Sequence, residues 1–152
     1  KSSVPDAGIT LCDISAEAIS LAKENAKKLH LNVKFETKDL RKIEERFDLI
    51  ISNPPYITKE DMSALDKSVI DYEPSTALYG GDDGLMFYRI LSKMHKNLNA
   101  NGYIALEIGI NQSQAVKNLL SKNFEDIKII NDFANIPRVI TARKKLFKDR
   151  LD

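Results

Sequence analysis

The chain is poor in several features that would assign it to a class at once. Among its 152 residues there is one cysteine, Cys12, so no disulfide can close within it, and a reducing compartment is expected. No apolar run approaches the roughly 20 residues that span a bilayer. The opening Lys1-Ser2-Ser3-Val4-Pro5-Asp6 lacks the apolar core of a signal peptide. A soluble cytoplasmic protein with no membrane partner is therefore expected. Neither sign of charge dominates: 23 basic and 22 acidic residues leave a net charge of +1. A sequence-specific nucleic-acid binder would be expected to carry a basic face instead. No internal repeat and no low-complexity stretch is found. His30 and His95 stand far apart without metal-ligand spacing, so no metal site is expected.

The composition suits one domain with a real core, since 43% of the residues are hydrophobic and 30% charged. Ile9 to Asp13 is a short apolar run ending in an acid, read as a strand. Ser15 suits a helix N-cap, and Ile19, Ala22, Ala26 and Leu29 come after it at helical spacing. Val33 to Thr37 alternates as a strand, and Phe47 to Ser52 is a third. Residues 57 to 83 read as a long loop with one helical turn; a loop of that length inside a compact domain is usually functional or disordered. Leu85 to Leu98 has the period of a helix, Asn101-Gly102 signals a turn, and Tyr103 to Ile108 is nearly continuously apolar, as in a sheet covered on both faces. Ser113 to Lys122 is an amphipathic helix. Ile127 to Ile130 and Val139 to Ala142 are the last strands, with no helix between them, so the final strand is a candidate antiparallel neighbour of the one before. The alternation predicts an α/β, doubly wound, mainly parallel sheet. Residues 1–143 form the domain and 144–152 a charged tail.

One tetrapeptide stands apart. Asn53-Pro54-Pro55-Tyr56 comes directly after the run Phe47 to Ser52. Two prolines in succession donate no backbone hydrogen bond and hold φ near −65°, so they end the strand and stiffen the loop beyond it. The stiff loop presents an amide, Asn53, and a ring, Tyr56. Together they suit a planar, amide-like nitrogen, whose protons the amide oxygen accepts and whose face the ring covers. Two acids are weaker candidates. Asp13 ends the first strand, where an acid can bind both ribose hydroxyls of a nucleotide-like cofactor, or simply cap the next helix. Asp39 can meet an adenine amino group while Leu40 packs on the ring, or be a solvated turn residue. Cys12 reads as a small core residue, Arg89 as a salt-bridge or loop anchor.

The tetrapeptide resembles the [Asn/Asp/Ser]-Pro-Pro-[Tyr/Phe] signature of amino-group methyltransferases. Further residues narrow the likeness: Tyr72-Glu73-Pro74, Ala77-Leu78-Tyr79-Gly80-Gly81-Asp82-Asp83-Gly84-Leu85, Tyr88-Arg89, Leu106-Glu107-Ile108-Gly109 with Gln112, and Arg138-Val139. From about Pro5 to Arg143 the chain resembles the release-factor glutamine methyltransferases of the HemK type. That resemblance implies a Rossmann-like, seven-stranded fold and S-adenosyl-L-methionine as cofactor. The implied substrate is the glutamine of the Gly-Gly-Gln motif in peptide chain release factors. It also implies Asn53, Pro54 and Tyr56 as catalytic residues and Asn53, Pro54, Pro55 and Tyr56 at the substrate. Asp13, Ile14, Asp39, Leu40 and Asn53 are implied at the cofactor.

The chain departs from that family in lacking its first strand and the glycine-rich Asp-x-Gly-x-Gly-x-Gly loop. The family strand order is 3-2-1-4-5-7-6, so the missing strand belongs at the centre. Its loss is expected to leave two sheet halves without shared hydrogen bonds, and an incomplete record of the gene product is the expected cause. Two other readings stand beside the main one: an adenine-amino methyltransferase acting on DNA or RNA, and an inactive fragment unable to hold cofactor.

Overall fold

In a computed structural model, the protein is described at residues 4, 6–64 and 74–146. Tyr72, Glu73 and the end of the charged tail lie outside the described residues. The chain divides into two compact units, Lys1–Glu44 and Glu45–Asp152.

In the first unit, β1 (Thr10–Asp13) and β2 (Lys34–Thr37) pair in parallel, with Asp13 opposite Thr37. The crossover is helix α1 (Ala16–Lys28), which packs on both strands and buries Ile19 and Ala26. Ser15 is the N-cap that the sequence predicts: its backbone is extended and its Oγ accepts from the Ala18 N–H at 3.0 Å. A 3-10 turn, Leu40–Lys42, comes after β2.

The second unit holds a four-stranded sheet in the order β3 (Phe47–Ser52), β4 (Leu98–Glu107), β6 (Pro137–Lys144), β5 (Phe124–Asn131). β3 and β4 are parallel, while β6 is antiparallel to both β4 and β5. The final strand is thus antiparallel to its predecessor, as the missing crossover helix predicts. Deleting strand 1 from the order 3-2-1-4-5-7-6 leaves 3-2 and 4-5-7-6, which are the two ladders observed. Helix α5 (Ser113–Leu120) packs on β5 and β6 through Val116 and Leu120, and α4 (Met86–Leu91) packs on α5. Two shorter helices, α2 (Lys59–Ser63) and α3 (Ser75–Leu78), precede them.

Several expectations need correction. The helix predicted over Leu85 to Leu98 ends at Leu91, and a 3-10 turn, Met94–Asn97, leads directly into β4 at Leu98. The Ser92 hydroxyl bonds back to the Arg89 carbonyl at 3.0 Å, and the Asn123 side chain takes the Ser92 carbonyl at 3.1 Å. That carbonyl is thus used outside the helical ladder at the point where the helix ends. Met94 and Leu98 are buried all the same, which is why the apolar spacing mimics a helix. Asn101-Gly102 does not close a turn between elements but forms a bulge inside β4: from Phe47 to Leu49 on one strand, the partner advances from Leu98 to Tyr103. Asn101 takes φ 61°, a conformation Asn tolerates. The run Tyr103 to Ile108 is covered mainly on one face: Ile104, Leu106 and Ile108 are buried while Tyr103 is 45% exposed. Among the described residues, the stretch after Ile57 carries two short helices, α2 and α3, and a parallel bridge between Ile57 and Tyr79, where one helical turn was expected. Lys144, the first residue of the charged tail, is the last residue of β6.

Leu106 is fully buried between Ser52 of β3 and Ile140 of β6. Leu106→Ala is expected to lower the unfolding free energy by about 2–5 kcal/mol. Lys117→Ala, on the exposed side of α5, is expected to change it by no more than about 0.5 kcal/mol. Denaturant unfolding followed by circular dichroism measures both, and equal effects would contradict this packing.

Candidate active site

Asn53-Pro54-Pro55-Tyr56 leaves the carboxyl end of β3. Pro54 is buried, Tyr56 half-buried and Asn53 exposed. Because two successive residues donate nothing, the loop is held through its neighbours. The Ile57 N–H donates to the Leu78 carbonyl at 3.0 Å, and the Gly80 N–H to the Ile57 carbonyl at 2.8 Å. The Gln112 side chain donates from Nε2 to the Tyr56 carbonyl at 3.0 Å and to the Gly84 carbonyl at 3.4 Å. Its Oε1 accepts the Gly109 N–H at 3.1 Å.

Three glycines let these segments meet. A Cβ on Gly80 would lie 2.6 Å from the Tyr56 Cα, and one on Gly109 would lie 2.8 Å from Tyr56 Cδ2. Gly84, at φ 69°, would place a Cβ 2.4 Å from the Tyr56 carbonyl oxygen and 2.5 Å from Gln112 Nε2. Only glycine fits there on both counts. Among the described residues, neither the Asn53 side chain nor the Pro54 carbonyl takes a hydrogen bond.

Behind the loop, Tyr88 is fully buried and its hydroxyl donates to the Glu107 carbonyl at 2.9 Å. Burial raises its pKa, so the phenol stays neutral. Arg89 is a loop anchor, as the sequence suggests: its Nη1 donates to Asp83 Oδ1 at 3.0 Å, Nη2 pairs with Oδ2, and the same carboxylate accepts the Leu85 N–H at 3.1 Å. Tyr79 donates to Asp82 Oδ1 at 3.0 Å. Hydrogen bonding from Arg89 lowers the Asp83 pKa to about 2.

The candidates for cofactor contact other than Asn53 lie in the first unit. Asp13 Oδ1 accepts the Ser15 N–H at 2.8 Å, so it does order the start of α1; its second oxygen has no hydrogen-bond partner among the described residues. Ile14 is 66% exposed. Asp39 lies just beyond the carboxyl end of the adjacent strand, the same end as Asp13, because the Lys38 N–H bonds the Asp13 carbonyl at 2.9 Å. Its carboxylate is held by the Arg41 N–H at 2.8 Å and by Arg41 Nε at 3.0 Å, and this bonding lowers its pKa to about 2. Cys12 is half-buried, with its thiol on the Lys38 carbonyl at 3.1 Å. In the second unit, His95 is half-buried edge-on to Phe124, and burial lowers its pKa. No group able to hold a metal ion occurs among the described residues, and no described helix is long and apolar enough to cross a membrane.

The family profile described as "Methyltransferase domain" matches residues 2–147. The chain belongs to the methyltransferase-domain family. A release factor glutamine methyltransferase of Clostridium acetobutylicum is 43% identical to this methyltransferase domain over 145 residues, 90% of the chain and 51% of that protein. The chain spans about half the length of the curated relatives it matches. A crystal structure of a methyltransferase from Pyrococcus furiosus superposes with a TM-score of 0.67 at 21% identity, covering 91% of this chain and 64% of that one. The N-methyltransferase NodS of Bradyrhizobium japonicum, solved in complex with S-adenosyl-L-homocysteine, superposes at 0.59 with 13% identity, covering 91% and 67%. At such identities the likeness is one of fold.

The tetrapeptide and the downstream motifs are legible in the sequence, but the contacts that join them are not. Gln112 and the close approaches of Gly80, Gly84 and Gly109 make those contacts. All four stand in the motifs that carry the resemblance, but their spacing does not show that they meet at Tyr56.

Because the folded-state pKa of Asp83 is depressed, its pairing stabilises the fold above the ordinary carboxyl value of 3.8 and is lost as pH falls from there toward about 2. A carboxyl-carbon NMR titration should find Asp83 near 2, moving back toward 3.8 in Arg89→Ala. An unchanged midpoint in that variant would show that Arg89 does not hold the carboxylate.

Proposed function

We propose that this domain transfers a methyl group from S-adenosylmethionine to a glutamine side-chain amide, that of the Gly-Gly-Gln motif of peptide chain release factors. The observation that carries the reading is the clamped Asn-Pro-Pro-Tyr loop, whose Asn53 side chain and Pro54 carbonyl take no hydrogen bond among the described residues. The 43% identity to a release factor glutamine methyltransferase supports the choice of substrate.

A glutamine amide nitrogen is a poor nucleophile because its lone pair is delocalised into the carbonyl. When bound, S-adenosylmethionine supplies the activated methyl on its sulfonium. The residues of this chain then have three tasks. Asn53 Oδ1 and the Pro54 carbonyl accept the two amide protons, which fixes the nitrogen and favours the positive charge that develops on it. The Tyr56 ring stacks on the amide plane. The rigid loop excludes other orientations. No strong base is needed before transfer, in keeping with the absence of His or Lys from the tetrapeptide and its immediate neighbours.

The donor set of the first unit fits the cofactor. Asp13 offers a carboxylate oriented by the Ser15 N–H, suited to paired ribose hydroxyls. Ile14 and Leu40 offer apolar surface to an adenine ring. Asp39 offers an acceptor for its amino group.

Asn53→Ala is expected to lower methyl transfer to purified release factor at least about 100-fold, with S-adenosylmethionine binding still detected by calorimetry. Turnover near the parent value would sink the role given to Asn53. Methylation of an adenine-containing oligonucleotide in preference to release factor would redirect the substrate to nucleic acid.

A further inference from the structure

We propose that Gln112 is the positioning residue of methyl transfer: its carboxamide fixes the Tyr56 carbonyl, and with it the substrate-gripping loop, to the backbone at Gly109 and Gly84. The inference rests on the function proposed above and adds to it a residue that does not touch the substrate.

Gln112 occupies the N-cap of α5 but makes no capping bond with its side chain. Ser, Thr, Asp or Asn is favoured at that position because a short oxygen-bearing side chain satisfies the free N–H groups of the first turn. Here the side chain is longer and points away from its own helix. The helix start nevertheless fixes its backbone: the Val116 N–H donates to the Gln112 carbonyl at 2.9 Å, and the Gln112 N–H to the Gly109 carbonyl at 3.2 Å.

The amide is used at both ends. Oε1 accepts from Gly109 at 3.1 Å, which sets the orientation of the group and leaves Nε2 facing two carbonyls, Tyr56 at 3.0 Å and Gly84 at 3.4 Å. Glutamate of the same length keeps the acceptor but offers an anion to two carbonyl oxygens. Methionine keeps most of the length and offers no donor at all. The glycines show how little slack exists, since a Cβ on Gly84 would collide with both the Tyr56 carbonyl oxygen and Gln112 Nε2.

Tyr56 depends on this bond more than an ordinary loop residue would. The two residues before it donate nothing, so the strand ladder cannot hold it. The next anchor is the Ile57 N–H on the Leu78 carbonyl at 3.0 Å. Without the bond to the Tyr56 carbonyl, the peptide joining Tyr56 to Ile57 is held only at its N–H, by Leu78, so it can tilt about that bond and shift the ring from its place beside Gly109. A displacement of about 1 Å at a reacting group costs on the order of 100-fold in rate.

The test uses Gln112→Met and Gln112→Glu in the purified protein. Both are expected to lower kcat for release factor methylation at least about 10-fold, with the Kd for S-adenosylmethionine within about twofold, and Gln112→Met is expected to keep a thermal midpoint close to that of the parent. A role in packing alone would leave kcat of Gln112→Met near the parent value, and that result would overturn the proposal. The second readout needs no substrate. Hydrogen exchange of the Ile57 amide is expected to speed up at least about 10-fold in both variants, with exchange in β6 unchanged. Unchanged Ile57 exchange would likewise overturn the proposal. A parent protein that does not methylate release factor defeats the substrate assignment instead, while the exchange experiment still decides the lock. A variant that does not fold is replaced by the other, and Gln112→Ala serves as the third.

Discussion

Two consecutive prolines at the end of a strand remove two backbone donors where the chain leaves the sheet, and the second unit is organised around that deficit. A strand end normally passes its hydrogen bonding to the next turn. Here Pro54 and Pro55 cannot, so the loop is fastened by three residues of two other segments. Leu78 takes the Ile57 N–H, Gly80 donates back to Ile57, and Gln112 takes the Tyr56 carbonyl. Each fastening brings backbone close to backbone, which is why glycine stands at 80, 84 and 109. The Asp83–Arg89 pair and the Tyr88–Glu107 bond hold those segments in turn. The outcome is a loop held through the backbone of Tyr56 and Ile57, while the Asn53 side chain and the Pro54 carbonyl take no hydrogen bond among the described residues.

The same economy appears in the first unit. Asp13 and Asp39 lie at the same end of adjacent parallel strands, and each is oriented by a backbone N–H two residues on, Ser15 and Arg41 respectively. Carboxylates held this way keep their direction without burial, and a solvated carboxylate avoids the desolvation cost that a buried one would bear. Such placement at the carboxyl ends of parallel strands is where open α/β sheets gather ligands. For Asp39 the partner Arg41 also occupies the carboxylate, so an incoming amino group would have to share it.

The elements that read well were those whose signal is local. Phe47–Ser52 has the predicted bounds because two prolines end it chemically, and Ser15 caps α1 because the capping bond spans three residues. The elements that read poorly were those where a distant partner intervenes. The helix predicted through Leu98 stops where Asn123, far along the chain, takes the Ser92 carbonyl. The Asn101-Gly102 signal was real, but its backbone freedom serves a bulge against β3, which sequence spacing cannot distinguish from a turn. Apolar residues in β4 looked uniformly buried because apolarity records what a residue tolerates, while exposure depends on what covers it.

By itself the sequence determined the alternation of strands and helices, the stiff tetrapeptide and the set of residues flanking it. Those come from dihedral restriction, side-chain period and backbone donors counted residue by residue. Only the tertiary structure decided that Gly80, Gly84, Gly109 and Gln112 converge on Tyr56, because a clamp made of contacts across 24 to 56 positions leaves no period to read. It also decided which acceptors are spent and which are free, since that is a property of partners rather than of residues.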